Sequence, residues 1–482
     1  MKICLGMLLL LLLLLLLVCG CAAAPNFVRP AAPASQQYLP PPDANRADAV
    51  APAAASGPQI VLGAQVSARW WSQFGSNSLD DVVAQAIAAS PTLAAATSTL
   101  AQTEELVTAA GGARYPKVDL SGGTGRQKYG KEFLGPLTAP PPFTYFAAGA
   151  AVNYTFDYSG GIARSIEARR ALSEYQHQEL RAARLALSGN VVLQGIAIAA
   201  ARERSRALNE LLAEDRRNLQ LVQASFDAGN ATRVDVLFAD SELAADETLL
   251  PPASQELAVA RHALAVLVGH APADWASPDF DFSQFTLPGT LPVSLPAELA
   301  RQRPDILAAE ARLHAATAQV GVATANLYPH ITLSGSAGQQ ALTLGTLFTG
   351  SNAVWALTSG LTAPVFDGGG LRAERRADID AMQASAANYQ ESVLKALQQV
   401  ADVLAAIDHD ALLLAAESHA VDTAQKSLNL TRESYRAGNV GVLHVVDAER
   451  LYQRTRLDYV RAETQRYVDT AQLYLALGGT AP

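Results

Sequence analysis

Apolar and small residues recur at helical spacing from Ile306 through Ala309, Leu313, Ala316, Val320 and Ala323 to Leu327, which predicts a helix. Pro304 suits its first turn, where a missing N–H leaves nothing unpaired. Pro329 ends it, because proline disfavours helix in the residue before it. The period then switches to two. Ile331, Leu333, Gly335 and Ala337 fall on one face, and Thr332, Ser334, Ser336 and Gly338 on the other. A helix feeds a strand with one apolar and one small polar face.

The same pattern stands earlier in the chain. Pro91 matches Pro304, Tyr115-Pro116 matches Tyr328-Pro329, and Leu120-Ser121-Gly122 matches Leu333-Ser334-Gly335, all at a spacing of 213. Further on the spacing is 209. It pairs Tyr154–Gly160 with Ala363–Gly369, Ser225–Asn230 with Ser434–Asn439, and Gly269 with Gly478. The chain is therefore a tandem repeat of one long unit, too long to be a short-period solenoid.

Period-two patterning predicts strands at about 118–128, 143–156, 330–340 and 353–365. In the second, Phe146, Ala148, Ala150, Val152, Tyr154 and Phe156 share a face. In the fourth, Trp355, Leu357, Leu361, Ala363 and Val365 do. Each is long enough to cross a bilayer as a strand of about 9–11 residues. A soluble antiparallel sheet with one wet face fits the same periodicity. Between the strand pairs run helical patterns at 160–226 and 369–436 that contain no proline. At 1.5 Å per residue each reaches about 100 Å, which argues for a coiled-coil-like assembly over a compact enzyme core. Each ends at a matched turn, Ala228-Gly229-Asn230 or Ala437-Gly438-Asn439, and returns through 231–270 or 441–477. Pro251-Pro252 is expected to kink or break the first return helix and has no counterpart in the second.

The N-terminus is a lysine followed by a leucine-rich run ending Val18-Cys19-Gly20-Cys21, which reads as a secretory signal over residues 1–20. A membrane anchor wants about 20 apolar residues, and the closing motif reads instead as a lipobox with Cys21 the lipidated residue. Ala22 rather than an aspartate follows, favouring outer-membrane sorting. All three cysteines lie in or at the end of this signal, so packing alone must hold the exported body together. Residues 21–67 have the Ala/Pro/Ser composition of a lipid-anchored linker. Trp70, Trp71 and Phe74 open the ordered part, either as a plug that docks the tether or as an ordinary aromatic core contact. The first repeat is expected over 68–270, a linker over 271–294, and the second repeat over 295–479. The formal net charge of −9 gives no footprint for nucleic acid.

Enzyme signatures are weak, and no catalytic, cofactor or metal site is expected. Gly125–Glu132 nearly spells a phosphate-binding loop but lacks the final Ser/Thr and opens no helix. Asp408-His409-Asp410 could suggest a metal, but helix neighbours point to different faces, so a solvated patch is expected.

Four motifs carry a resemblance: Arg303-Pro304-Asp305-Ile306 with Ala309-Glu310, Tyr328–Gly338, Pro364–Gly369 and Tyr435–Glu449. In their order and duplication they resemble the TolC family, and within it the lipoprotein (NodT-type) branch of resistance–nodulation–division efflux systems. The resemblance implies a mostly α fold with β. Four strands per protomer would complete a shared 12-stranded outer-membrane barrel in a homotrimer, continued by a long α-helical barrel. This agrees with membrane physics, since an open sheet edge cannot sit in lipid and the smallest such barrels have about eight strands. It implies hairpin tips at Tyr129–Pro142 and Ala341–Asn352 facing outward. It also implies a periplasmic adaptor, an inner-membrane pump, and outer-membrane lipid held by N-terminal acylation.

For site residues, the resemblance places Leu443 and Asp447 at the periplasmic gate, and four residues apart they stack on one helix face. Three such carboxylates around one axis would repel one another and attract cations. Tyr435 and Asp235 match residues that tie neighbouring hairpins, and Gly229, Asn230, Gly438 and Asn439 the turns that contact the adaptor. Val440 and His444 depart from TolC's arginine and first aspartate, so the tie is expected to be thinner and His444 to make the gate pH-sensitive. The expected function is a passive exit channel for drugs or other small molecules. The alternatives are a duct for protein or peptide secretion, a non-pore periplasmic coiled-coil scaffold, and a secreted hydrolase.

Overall fold

The computed structural model describes residues 25–39, 58–129 and 141–479. Cys21, the signal and most of the first hairpin tip lie outside them. Two compact units are formed, and each draws on both sequence repeats. One comprises residues 25–30, 99–129, 141–177 and 308–390, the other 31–39, 58–98, 178–307 and 391–479.

The first unit carries a four-stranded antiparallel sheet of β2 (Lys117–Gln127), β3 (Phe143–Phe156), β5 (His330–Ala341) and β6 (Ala353–Thr362), in the order β2-β3-β5-β6. The central contact joins the two repeats, with Tyr154 opposite Leu333 and Val152 opposite Gly335. Register aligns one apolar face across all four strands. Leu120 stands opposite Ala150, Ala150 opposite Ala337, and Ala337 opposite Trp355. Trp355 is 81 % and Leu120 85 % exposed on that face, so nothing among the described residues covers it. β6 stops at Thr362, three residues short of the expected end, because Pro364 has no N–H to give the ladder.

Residues 26–29 lie on this unit's helices. Phe27 stacks on His314 at 4.4 Å, Arg29 Nε donates to Glu310 at 2.8 Å, and Arg164 bonds Asn26. His314 Nε2 in turn meets Glu167 Oε1 at 2.9 Å.

The second unit contains α1 (Asn77–Ala89), capped by the Ser76 hydroxyl, and a short parallel pair that periodicity missed. β1 (Gln59–Leu62) runs beside β4 (Thr290–Val293), so part of the expected linkers at 21–67 and 271–294 is ordered strand. Trp70 and Phe74 are buried, and Trp70 stacks on Tyr474 at 5.4 Å. This is the core-contact alternative for those aromatics.

Two further helices begin at the matched prolines: α2 (Pro91–Gly111) and α7 (Pro304–Ala325), the latter after the short α6 (Pro296–Gln302). The long helices are α3 (Gly161–Asp227) and α8 (Gly370–Arg436), each of 67 residues. The second return is one helix, α9 (Val442–Ala476). The first return, over 231–270, is broken, as Pro251-Pro252 leads one to expect. It is divided into α4 (Arg233–Glu247) and α5 (Leu250–Leu267), with the two prolines in the first turn of α5. Proline is tolerated there and nowhere deeper, so the break falls just ahead of the pair.

Candidate functional site

The two turns that end α3 and α8 are built alike. Asn230 N donates to Ser225 O at 2.8 Å and Gly229 N to Phe226 O at 2.9 Å. Asn439 N donates to Ser434 O and Gly438 N to Tyr435 O, both at 2.9 Å. The glycines take left-handed φ values of +81° and +75°, and open space surrounds the place a Cβ would occupy. Backbone conformation, not room, therefore demands glycine. Gly438→Val is expected to cost about 1–2 kcal/mol and Gly438→Asn less, read as a shift in thermal unfolding.

The helix starts that follow differ. At α4, Thr232 and Asp235 form a capping box: Asp235 N donates to Thr232 Oγ1 at 3.3 Å and Thr232 N to Asp235 Oδ2 at 2.7 Å. The Thr232 hydroxyl gives Oδ2 a second bond at 2.8 Å. The Thr232 backbone bond, then its hydroxyl, hold the Asp235 carboxyl below the usual carboxylate range. At the repeat spacing, Gly441 and His444 replace Thr232 and Asp235, and α9 has no side-chain cap. Leu443 and Asp447 likewise replace Val234 and Phe238.

Leu443, His444 and Asp447 are exposed, whereas Val445, Val446 and Glu449 are buried on the other side of α9. Asp447 lines a hollow of about 610 Å³ with Asp246, Leu249, Arg450, Leu451 and Arg454. Tyr435 and Asp235 are half-buried, and among the described residues no hydrogen bond joins them. Behind the tip, Val222, Val236 and Ala239 form a small core with Phe226 and Val442 packed against it.

Sequence reasoning missed the polar centre beside this tip. Glu449, 2 % exposed, accepts from Arg432 Nη2 at 2.6 Å and Gln453 Nε2 at 3.3 Å, and Arg432 also reaches Glu214 at 3.4 Å. Burial pushes the Glu449 carboxyl up, and Arg432 opposes that rise. The expected solvated patch Asp408-His409-Asp410 is corrected in part: Asp408 and His409 are exposed, but Asp410 is buried. Gly125–Gln127, the start of the phosphate-loop lookalike, are strand residues of β2.

An open-edged sheet with a bare apolar face, in a chain with 67-residue helices, defines a class of membrane-channel protomer. The chain belongs to the outer membrane efflux protein family, which matches residues 82–270 and 295–479. It is 30% identical over 420 residues to the pyoverdine export outer membrane protein OpmQ of Pseudomonas aeruginosa, covering 85% of this chain and 87% of that one. It is 27% identical over 367 residues to a probable outer membrane lipoprotein, SilC, of Salmonella typhimurium, covering 76% and 78%. Its structure is similar to that of the outer-membrane channel OprN, with a TM-score of 0.86 at 27% identity, covering 96% of this chain and 100% of that one. The family is one of transport channels and not of enzymes.

Proposed function

We propose that this protein is the outer-membrane exit channel of a tripartite efflux pump, passing small molecules from an inner-membrane transporter and its periplasmic adaptor to the outside. The observation that carries this reading is the sheet. Among the described residues, nothing pairs with the outer edge of β2 or β6 and nothing covers the apolar face across all four strands. Lipid tolerates neither edge, so the strands complete a barrel only with other copies. Three copies give the twelve strands of a closed ring, which exceeds the minimum of about eight. Acylation of Cys21 anchors the chain, and residues 26–29 fasten the tether to the body.

In this reading the turns Gly229-Asn230 and Gly438-Asn439 present the adaptor surface. The Leu443, His444 and Asp447 side chains point from α9 toward the axis and form the gate. Both bonds that Thr232 donates end on Asp235 Oδ2, which leaves Oδ1 to accept from Tyr435 of a neighbouring hairpin. The missing capping box at α9 supports a second tip that opens more easily than the first.

The test is a single cysteine, Asn439→Cys, in the full chain, where no cysteine follows Cys21. Cross-linking in cells is expected to capture a periplasmic adaptor of a drug-efflux pump, from an outer-membrane trimer. Capture of a secretion-system adaptor would move the assignment to protein export. A monomer that captures nothing would defeat the channel assignment.

A further inference from the structure

Each long helical hairpin contains a meeting of two acids that conduction does not require. On the second, Asp410 of α8 is 8 % exposed and Asp469 of α9 is 5 % exposed. The Asp469 carboxyl acts on that of Asp410 across the two helices, and Asp410 Oδ2 is buried with no hydrogen-bond partner. The other groups facing them from α9 are Gln465, whose Nε2 donates to Asp469 Oδ2 at 3.0 Å, and Arg466. On the first hairpin, Asp215 of α3 is 6 % exposed with its Oδ2 also lacking a donor, but the Asp246 it faces on α4 is only half-buried and lines the hollow that Arg450 and Arg454 share. Glu242 of α4 and Glu449 of α9 add negative charge there. The cations beside those two are engaged, Arg450 with Glu242 at 2.9 Å and Arg432 with Glu449 at 2.6 Å. Asn218, one turn along α3, leaves its own Nδ2 unpaired and does not serve Asp215.

Two ionised carboxylates cannot share a dry contact, because neither has a hydrogen to give and each repels the other. A proton resolves both problems by turning one oxygen into a donor. A divalent cation would need more ligands, and among the described residues no group of three His, Cys, Asp or Glu is arranged to hold one. We propose that the second hairpin binds one proton between its two arms, shared by Asp410 and Asp469, and that losing it loosens the arms.

The proton leaves in a useful range. Burial, then Asp469, pushes the Asp410 carboxyl up to about 7, and burial, then Asp246, does the same for Asp215. A carboxyl in the unfolded chain titrates near 3.9. The folded hairpin therefore holds a proton that the opened one releases. Its stabilisation is complete below about pH 4, falls as pH rises, and is gone above about 7. The sign is opposite to that of an ordinary salt-bridged aspartate.

The pair belongs to the hairpin itself, so the test does not depend on channel activity. Hydrogen exchange of α8 and α9 in the full-length protein, corrected for intrinsic rate, would be followed from about pH 5.5 to 7.5. Opening is expected to become about tenfold easier per pH unit up to about 7 and to level above it. Asp410→Asn supplies a permanent donor and is expected to abolish that slope at the second hairpin, leaving it tighter than wild type at about pH 7.5. Asp469→Asn should match it, and the exposed Asp408→Asn should keep the wild-type slope. The proposal is overturned by a wild-type slope of zero. It is equally overturned if both buried Asn variants keep the slope.

Discussion

Arg432→Ala is expected to destabilise the helical tip by about 3 kcal/mol, the low end of the range for orphaning a buried ionised partner. The loss comes mainly from Glu449, whose side chain is 3 % exposed and would be left without its cation, while the Arg432 side chain is itself 36 % exposed. Only Gln453, at 3.3 Å, would remain as donor. Protonation offers an escape. Burial already raises the Glu449 carboxyl, and removing Arg432 raises it further. The deficit should therefore shrink as pH falls through that raised value. Thermal unfolding at neutral and mildly acidic pH checks this, and an equal loss at both would point to lost packing in place of lost charge. Arg432→Lys should recover part of the stability, since it restores charge without the guanidinium fork.

Trp70→Ala should cost about 3–5 kcal/mol, the usual toll for emptying a buried aromatic site. Trp70 is 1 % exposed, stacks on Tyr474, and meets Phe74 edge-on at 6.4 Å. It holds the turn at Trp70–Phe74 against the end of α9, so its removal unfastens both. Trp71, only half-buried, is the comparison: Trp71→Ala should cost markedly less in the same unfolding experiment. Equal losses would mean that the pair acts through the local turn and not through the Tyr474 stack.

Much of this architecture is legible in the chain because its determinants are local. Pro91 and Pro304 start helices, and Gly229 and Gly438 end them, each through its own backbone chemistry. The strand alternation survives intact because the apolar face needs no partner within the protomer to be visible. The β1–β4 pair was invisible for the opposite reason. Four residues of a linker gain their ladder only from Thr290–Val293, far along the chain, and no local period records that.

Asp410 is an intermediate case. Ala396, Val400, Leu404 and Ile407 form the buried stripe of α8, and Asp410 lies three residues beyond Ile407 on the same stripe. The periodicity marks the face, but adjacent Asp408 and His409 give the stretch the composition of a solvated patch. Glu449 carries the same signal, four residues after the buried Val445. Leu443, His444 and Asp447 came from family likeness alone, for an exposed helix residue has no local signature of a gate.

The sheet also decides how faults spread. Its two free edges differ, β2 from the first repeat and β6 from the second, so in the proposed ring copies would join head to tail and not through a self-matching surface. A head-to-tail ring has no internal rule for its subunit number beyond the curvature of the sheet itself. A copy damaged at β6 alone still offers an intact β2, and it can enter a growing ring that it cannot close. Such a variant would be dominant over its normal sibling.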